Sequence, residues 1–523
     1  MFIREKKRRN QDGSVTVYLQ LVENHRVDGK TRQRVLATLG RTDDPRLRSG
    51  LRSLVETASR YAEIERMRIR LTDQAQAQTR IWGAQLVWGR LWAETFAPIL
   101  SDAGFSDRQS NAVYLMVLHR LVHPGSKCAA LRFAQDVYGA PFDGLALHDL
   151  YRALDQLAEA KEAIEAGWFA RHRDLFTDTD LLYFDTTSTY LEGRHPEELA
   201  AFGYSRDHRG DRRQVGLGVV MTREGLPVAH VILPGNTADP AAFRIAIEYL
   251  RETLGVERVM LCCDRGMVSE ANLEALRDAG MPYLVATRLR RNKMAQAALS
   301  QPGRYHVVAA NLEVKEATVP GATDRYILCR NPEAVEADRG EREAIVAALE
   351  EKLASGSVKG LLRGAARRYV RAVGGTVRLD RGRIEDDARY DGKWVLRTNS
   401  DLSTTDAALA YKGLWQVEQA FRTLKTPLEL RPIYHWTELR VRGHITVCFL
   451  AFTLRQILKK RLAERSFDGS FVELIEGLSR VRAVLLDDGN GHRYRLRDEI
   501  PAAAMPAFRA LKIVPPRRVE QID

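Results

Sequence analysis

The middle of this chain predicts a mixed α/β core, a β-sheet with helices packed on it, and three observations carry that expectation. Three strand-like runs follow one another: LLYFDTTSTYLEG (181–193), QVGLGVVMT (214–222) and LPVAHVILPG (226–235). Helix and strand patterns then alternate, through AAFRIAIEYLRETLG ending at Gly255, RVMLCC, SEANLEALRDAG and PYLVATR. Hairpin-joined strands followed by alternating α and β units build a mixed sheet. The third observation is an Asp in each of two apolar runs, Asp185 in the first and Asp264 at the end of ERVMLCCDRGM (257–267). In a sheet of order 3-2-1-4-5 those two strands are neighbours.

The elements follow in order. Residues 1–45 read as an N-terminal β unit, with alternation in SVTVYLQLVENHRV and a turn at VDGK. Lys6, Lys7, Arg8 and Arg9 give it a basic entry, a solvated face or a DNA contact. Residues 46–175 read as helical and as a possible DNA-binding region. Pro124-Gly125 stops one helix and Ser126 offers an N-cap to the next. Such a pair is a helix-turn-helix or plain bundle packing. Residues 178–292 hold the first part of the core, where Asn236, Thr237 and Asp239 offer N-cap chemistry and Pro240 suits a first helical turn. Residues 293–402 read as a β-rich insertion with one charged helix. The core resumes over 403–465 with a helix over YKGLWQVEQAFRTLKT (411–426), and 466–523 reads as a tail with a loose end, PPRRVEQID.

Composition narrows the function classes. The 523 residues carry a formal net charge of +12 and are 45% hydrophobic, which indicates a soluble protein with a polyanionic partner such as nucleic acid. The five cysteines are scattered without a CxxC, as in reduced proteins of a reducing compartment. The N-terminus has no apolar signal core, and ITVCFLAFTL (445–454) is too short to span a bilayer, which takes about 20 residues. A cytoplasmic protein without a membrane partner is expected. Neither GxGxxG after a strand nor GxxxxGK[ST] occurs, which argues against a nucleotide-binding metabolic enzyme, and the histidines show no zinc spacing.

A carboxylate in a buried strand is costly unless paired, protonated or metal-bound. Two of them side by side repel, and a cation removes the penalty. With Glu418 on the 411–426 helix they form a candidate two-metal site, since hard divalent ions take oxygen ligands. Taken singly, each Asp is equally a strand-end cap. On the helix, Tyr411, Leu414, Glu418 and Lys425 fall at offsets 0, 3, 7 and 14 and share a stripe. The plain alternative is an amphipathic helix with Leu414, Phe421 and Leu424 inside and a surface Glu418–Arg422 pair outside.

The motif set resembles the DDE transposases of bacterial insertion sequences, in the broad group named after insertion sequence four. Tyr411, Glu418 and Lys425 match that group's Y-(2)-R-(3)-E-(6)-K signature, while Leu414 stands at the Arg position. Asp185-Thr186-Thr187, Asp264-Arg265-Gly266 and LPGNTADPAAF (233–243) also match, and VENHRVDGKTRQRVLATLG looks like the subgroup with long N-terminal extensions. The resemblance covers roughly 180–460. It implies an RNase H-like core with an insertion between the second Asp and the Glu, which the 154-residue separation of Asp264 and Glu418 suits. It implies Mg²⁺, with Mn²⁺ able to substitute, held by Asp185, Asp264 and Glu418. It implies cutting at terminal inverted repeats through hairpin intermediates and strand transfer into target DNA, by a homodimer or higher assembly associated with the nucleoid. Tyr411 and Lys425 would contact phosphates, as would Arg265, and Arg422 would replace the missing Arg. Trp415 would stack on an unpaired base or is a core aromatic, and Trp394 is a second such residue or a core one. The basic runs 204–214 and 287–296 are DNA contacts or solvated loops. A decayed DNA-binding relative would have lost an acid, and another RNase H-like nuclease would lack the Tyr–Glu–Lys helix.

Overall fold

The computed structural model describes residues 2–9, 15–27, 30–44, 47, 76–171, 181–256, 260–355, 365–373, 376–488 and 491–522. The chain divides into two units, Met1–Ala153 with Ile457–Asp523, and Leu154–Gln456.

Alternating side chains make an antiparallel sheet of β1 (Phe2–Arg9), β2 (Val15–Val27) and β3 (Lys30–Arg41). The expected helical region 46–100 opens differently: most of 46–75 lies outside the described residues, and β4 (Gln76–Ile81) is a strand. Helices follow at Gly83–Asp102, Asp107–Val122, Lys127–Gln135 and Leu147–Glu159. Ser106 and Gln109 close a capping box, and Ser126 caps its helix through the N–H of Ala129. At the break between those helices Arg120 and Lys127 are buried, and Arg120 donates to the carbonyl of Gly125.

In the second unit, the helix Lys161–Arg171 precedes β5 (Leu181–Tyr190), β6 (Gln214–Thr222) and β7 (Pro227–Pro234). The helix Asp239–Glu252, β8 (Met260–Cys263), the helix Glu270–Asp278 and β9 (Tyr283–Ala286) follow. The order β7-β6-β5-β8-β9 has β5, β8 and β9 parallel and the rest antiparallel. Central β5 is buried from Leu181 to Thr189, which is why it reads as a nearly continuous apolar run. The N-cap before Pro240 is Ala238 rather than Asn236, Thr237 or Asp239, and its side chain makes no cap. The Asp239 carboxylate turns instead to Thr186 and Arg206. Glu165 ties the helix Lys161–Arg171 to this sheet. It accepts from Lys161, the Tyr249 hydroxyl, and the backbone N–H of His230, and lies 2.5 Å from the His230 ring Nδ1.

The region after β9 adds to the same sheet. After the helix Lys293–Ser300, strands β10 (His306–Ala309), β11 (Leu312–Ala317) and β12 (Arg325–Arg330) extend it. The helix Pro332–Ala354, the hairpin β13 (Val370–Val373) with β14 (Thr376–Leu379), and the helix Arg381–Ala388 lead to β15 (Lys393–Thr398). β15 joins β12 to β9, so the full sheet has nine strands, β10-β11-β12-β15-β9-β8-β5-β6-β7. The helices Thr404–Lys412, Trp415–Lys425 and Glu438–Ala463 complete the run.

The end of the chain is more ordered than a tail. After the helix Phe471–Arg480, β16 (Arg482–Asp487) pairs with β4, and β17 (Arg493–Arg497) and β18 (Val519–Ile522) finish a four-stranded sheet. β4 and β16 lie some four hundred residues apart and carry little local signal for their pairing, and VEQI, four residues with two of them charged or polar, reads as loose until β17 is beside it. Among the described residues, no helix is long and apolar enough to cross a membrane.

Candidate active site

Strand register decides where the two Asp residues go. In the parallel pair β5–β8, Phe184 is opposite Cys263. The next residue on each strand is Asp185 and Asp264, so the two acids leave neighbouring strands at one level. Both line a cleft of about 950 Å³, which Glu418 lines from the helix Trp415–Lys425. Asp185 is only 8% exposed. Burial pushes its carboxyl up to about 7, against the pull of Arg206 and the Thr186 N–H, and Asp264 and Asp239 add to the rise. The Tyr411 hydroxyl donates to Asp264 Oδ1 at 3.4 Å, and burial followed by Asp264 keeps that phenol protonated.

The expected single helix over 411–426 is two. Thr404–Lys412 ends at Gly413, and Trp415–Lys425 begins after Leu414. The reason lies beneath it: Tyr183 of β5 donates its hydroxyl to the Ala410 carbonyl at 2.7 Å, and a Cβ on Gly413 would lie 2.1 Å from that hydroxyl. The break places Glu418 in the first turn of its own helix, where the dipole favours a carboxylate. Val417, Phe421 and Leu424 face the core, while Glu418 and Arg422 are exposed. Gln416 fastens the helix to the β6–β7 turn through the Arg223 carbonyl.

The remaining expected residues separate. Tyr411, Leu414, Trp415, Arg422 and Lys425 all line the cleft, although Tyr411 belongs to the preceding helix. Trp415 is 56% exposed and is not a core residue. Trp394 lines the cleft with Ala310, Asn311, Leu312 and Asn331, and its Nε1 is buried without a hydrogen-bond partner. Arg265 is exposed and does not line the cleft. In the run 287–296, Arg290 pairs with Asp387 and Asn292 caps a helix.

Three residues of this site, Arg206, Asp207 and Asp239, were not singled out for it by the sequence, where 204–214 reads as a DNA contact or a solvated loop and Asp239 as N-cap chemistry. Arg206 lies 3.9 Å from Asp185 and 3.5 Å from Asp239, and it donates to Thr186. Thr186 in turn donates to Asp239 at 2.9 Å. Asp207 accepts from Lys425 and Arg431. All came from a mixed-charge loop or a presumed cap. Of the other arginines of that run, Arg209 and Arg212 pair with Glu192 and Asp211, and Arg213 donates to the Ala200 carbonyl.

The donor set suits a hard divalent cation in kind: oxygen ligands only, and a crowding of like charge that a cation relieves. Among the described residues, however, no group of three or more His, Cys, Asp or Glu side chains stands at a spacing that could hold a metal. Glu418 shares the cleft with the Asp pair without closing a ready-made three-ligand site.

Residues 177–454, more than half of the chain, match the family model described as transposase DDE domain. The chain belongs to the DDE transposases. Residues 3–70 match a second model, described as IS1634 family transposase, N-terminal domain, so the transposase resemblance read from the motifs holds in the N-terminal region as well as in the core. No curated protein matches the chain. Family membership makes this protein a DNA transposase, and all the cleft residues named above fall inside the DDE-domain match.

Gly413→Ala should destabilise the protein by about 1–3 kcal/mol through overpacking against Tyr183. Tyr183→Phe in the same chain should recover part of the loss; an unchanged urea transition for Gly413→Ala would refute this account of the helix break. Asp185 gives a pH test. A carboxyl raised from 3.8 to about 7 imposes no burial penalty below 3.8 and the full one above 7. In metal-free buffer, stability should therefore fall as pH rises across that window, and Asp185→Asn should remove this fall from the melting profile. Identical profiles would contradict it.

Proposed function

We propose that this transposase cleaves DNA at the terminal inverted repeats of an insertion sequence and joins the freed ends to target DNA. Asp185, Asp264 and Glu418 are its catalytic carboxylates. The observation that carries the reading is the register of β5 and β8, which brings Asp185 and Asp264 out together into the cleft that Glu418 lines. The five strands β7-β6-β5-β8-β9 with their helices are read as an RNase H-like core, and the strands from β10 to β15 as its insertion.

The three carboxylates would hold Mg²⁺, or Mn²⁺ in its place, which when bound activates the attacking oxygen and stabilises the leaving one. The chain's own groups then do the rest. Tyr411, kept protonated, offers a hydroxyl beside Asp264. Lys425 supplies a cation to a backbone phosphate. Arg422, exposed on the cleft one turn after Glu418, takes the phosphate contact that Leu414 cannot make. Trp415 presents its face to an unpaired base, worth about 1–3 kcal/mol, and Trp394 does so from the opposite wall. Arg265 touches the backbone outside the cleft. The reaction needs two ends together, hence a homodimer or higher assembly. Residues 1–45 and 46–175 are assigned to DNA recognition, 178–292 and 403–465 to the core, 293–402 to the insertion and 466–523 to the C-terminal region.

On a labelled duplex copied from the DNA flanking the gene, Asp185→Asn, Asp264→Asn and Glu418→Gln should each abolish Mg²⁺-dependent cleavage and leave binding intact. Full cleavage by any one overturns the site. Lys425→Ala should weaken binding and reduce the salt slope by about 1; an unchanged slope means that Lys425 touches no phosphate.

A further inference from the structure

The basic wall of the cleft is organised by a residue that no motif marks. Asp207 follows Arg206 in the connection between β5 and β6, and its side chain is 4% exposed. One oxygen, Oδ1, accepts from Lys425 Nζ at 2.9 Å and from Arg431 at 2.7 Å. The other, Oδ2, is buried with no hydrogen-bond partner among the described residues. Lys425 and Arg431 both line the cleft, and the Arg431 side chain remains 29% exposed. A buried carboxylate with an unsatisfied oxygen is an expensive way to hold a fold, since apolar packing usually does as well or better. It is a good way to hold two cations in fixed positions.

The chain around Asp207 is built to keep it there. Ser188 of β5 accepts the N–H of Arg206, and Ser205 accepts that of Arg209, both at 3.0 Å. His208 adopts φ +57°, the left-handed region a side chain avoids unless its surroundings impose it. Arg431 sits just before Ile433, which is strapped to the end of β5 by the bonds Ile433 N–H to Tyr190 and Glu192 N–H to Ile433. Lys425 ends the Glu418 helix. Asp207 therefore joins three segments at one point: the loop that follows Asp185, the helix of Glu418, and the strap after that helix. Its neighbour Arg206 reaches the acidic side at Asp185 and Asp239.

We propose that Asp207 is a positioning residue, whose buried carboxylate sets Lys425 and Arg431 as a paired cationic subsite for one phosphate of the DNA backbone, in register with the acids. Two cations against one carboxylate leave a net positive charge for that phosphate. Arg431 becomes a second phosphate ligand beside Lys425. The inference rests on the reading of this cleft as the DNA site.

The test uses the full chain, the fluorescent flanking-sequence duplex and an unrelated duplex of equal length. Binding is followed against salt, single-turnover cleavage with Mg²⁺ at saturating protein, and the melting midpoint. Arg431→Ala should make the salt slope shallower by about 0.9, as one lost phosphate contact does. Asp207→Asn keeps both cations, so its slope should hold, while cleavage at saturation should fall roughly 10- to 100-fold from misplacement. Lys425→Ala should cost less in the Asp207→Asn background than in the native one. Asp207→Glu, which keeps the charge but displaces it, should give a smaller fall at the same slope, and it serves if the Asn variant does not fold. Wild-type cleavage by Asp207→Asn, strict additivity with Lys425→Ala, or a loss that merely follows a lowered melting midpoint would overturn the positioning role. Unchanged slopes for both Arg431→Ala and Lys425→Ala would instead overturn the DNA reading of this wall, whatever Asp207 does.

Discussion

Two like charges brought to one level on neighbouring parallel strands are the constraint around which the second unit is arranged. A buried Asp185 beside the half-buried Asp264 is costly as a charge without compensation. The surrounding contacts supply it in pieces. Arg206 approaches Asp185, the Thr186 N–H bonds its carboxylate, and Tyr411 donates to Asp264. None of these is a full bidentate ion pair, and the Asp185 carboxyl remains raised. Asp185 is left without a full counter-charge in a cleft whose acidic groups offer oxygen donors, the donor type hard divalent cations prefer.

Much else follows from presenting Glu418 to the same cleft. The chain passes so close over Tyr183 that position 413 has no room for a side chain, and one helix stops there and another restarts after Leu414. The restart sets the carboxylate near a helix N-terminus and turns Trp415 outward. The far wall comes from the extension of the sheet, with Asn311 in the left-handed region at the β10–β11 turn and Trp394 on β15. A cleft lined by acids, by basic groups and by aromatic and amide side chains suits a substrate that carries both charge and flat bases.

The fold of the core was legible because β5, β6 and β7 are long and apolar, with only a tight turn between β6 and β7, and because β8 and β9 alternate with helices. The two Asp residues were legible as charges inside apolar runs. The helix break was not, because Gly413 looks like a tolerated helical glycine until the hydroxyl of Tyr183, 230 positions earlier, is placed beneath it. Asp207 and Asp239 were not legible for a similar reason. In sequence, SRDHRGDRR is a DNA contact or a solvated charged loop, with nothing to single out its Asp207, and Asp239 is a helix cap; their partners Lys425, Arg431 and Thr186 are distant along the chain. The pairing of β4 with β16 was invisible on the same ground, since each strand is short and neither is next to its partner.

The central claim is that this protein moves DNA and that the carboxylates do the cutting. The direct measurement is excision in cells: a marker is placed between the DNA ends that flank the gene, the protein is supplied in trans, and the donor junctions are sequenced. The account predicts excision with defined junctions from the native chain and none when Glu418 is replaced by Gln. Equal excision from both would contradict it, as would no excision from either while the ends are still bound specifically.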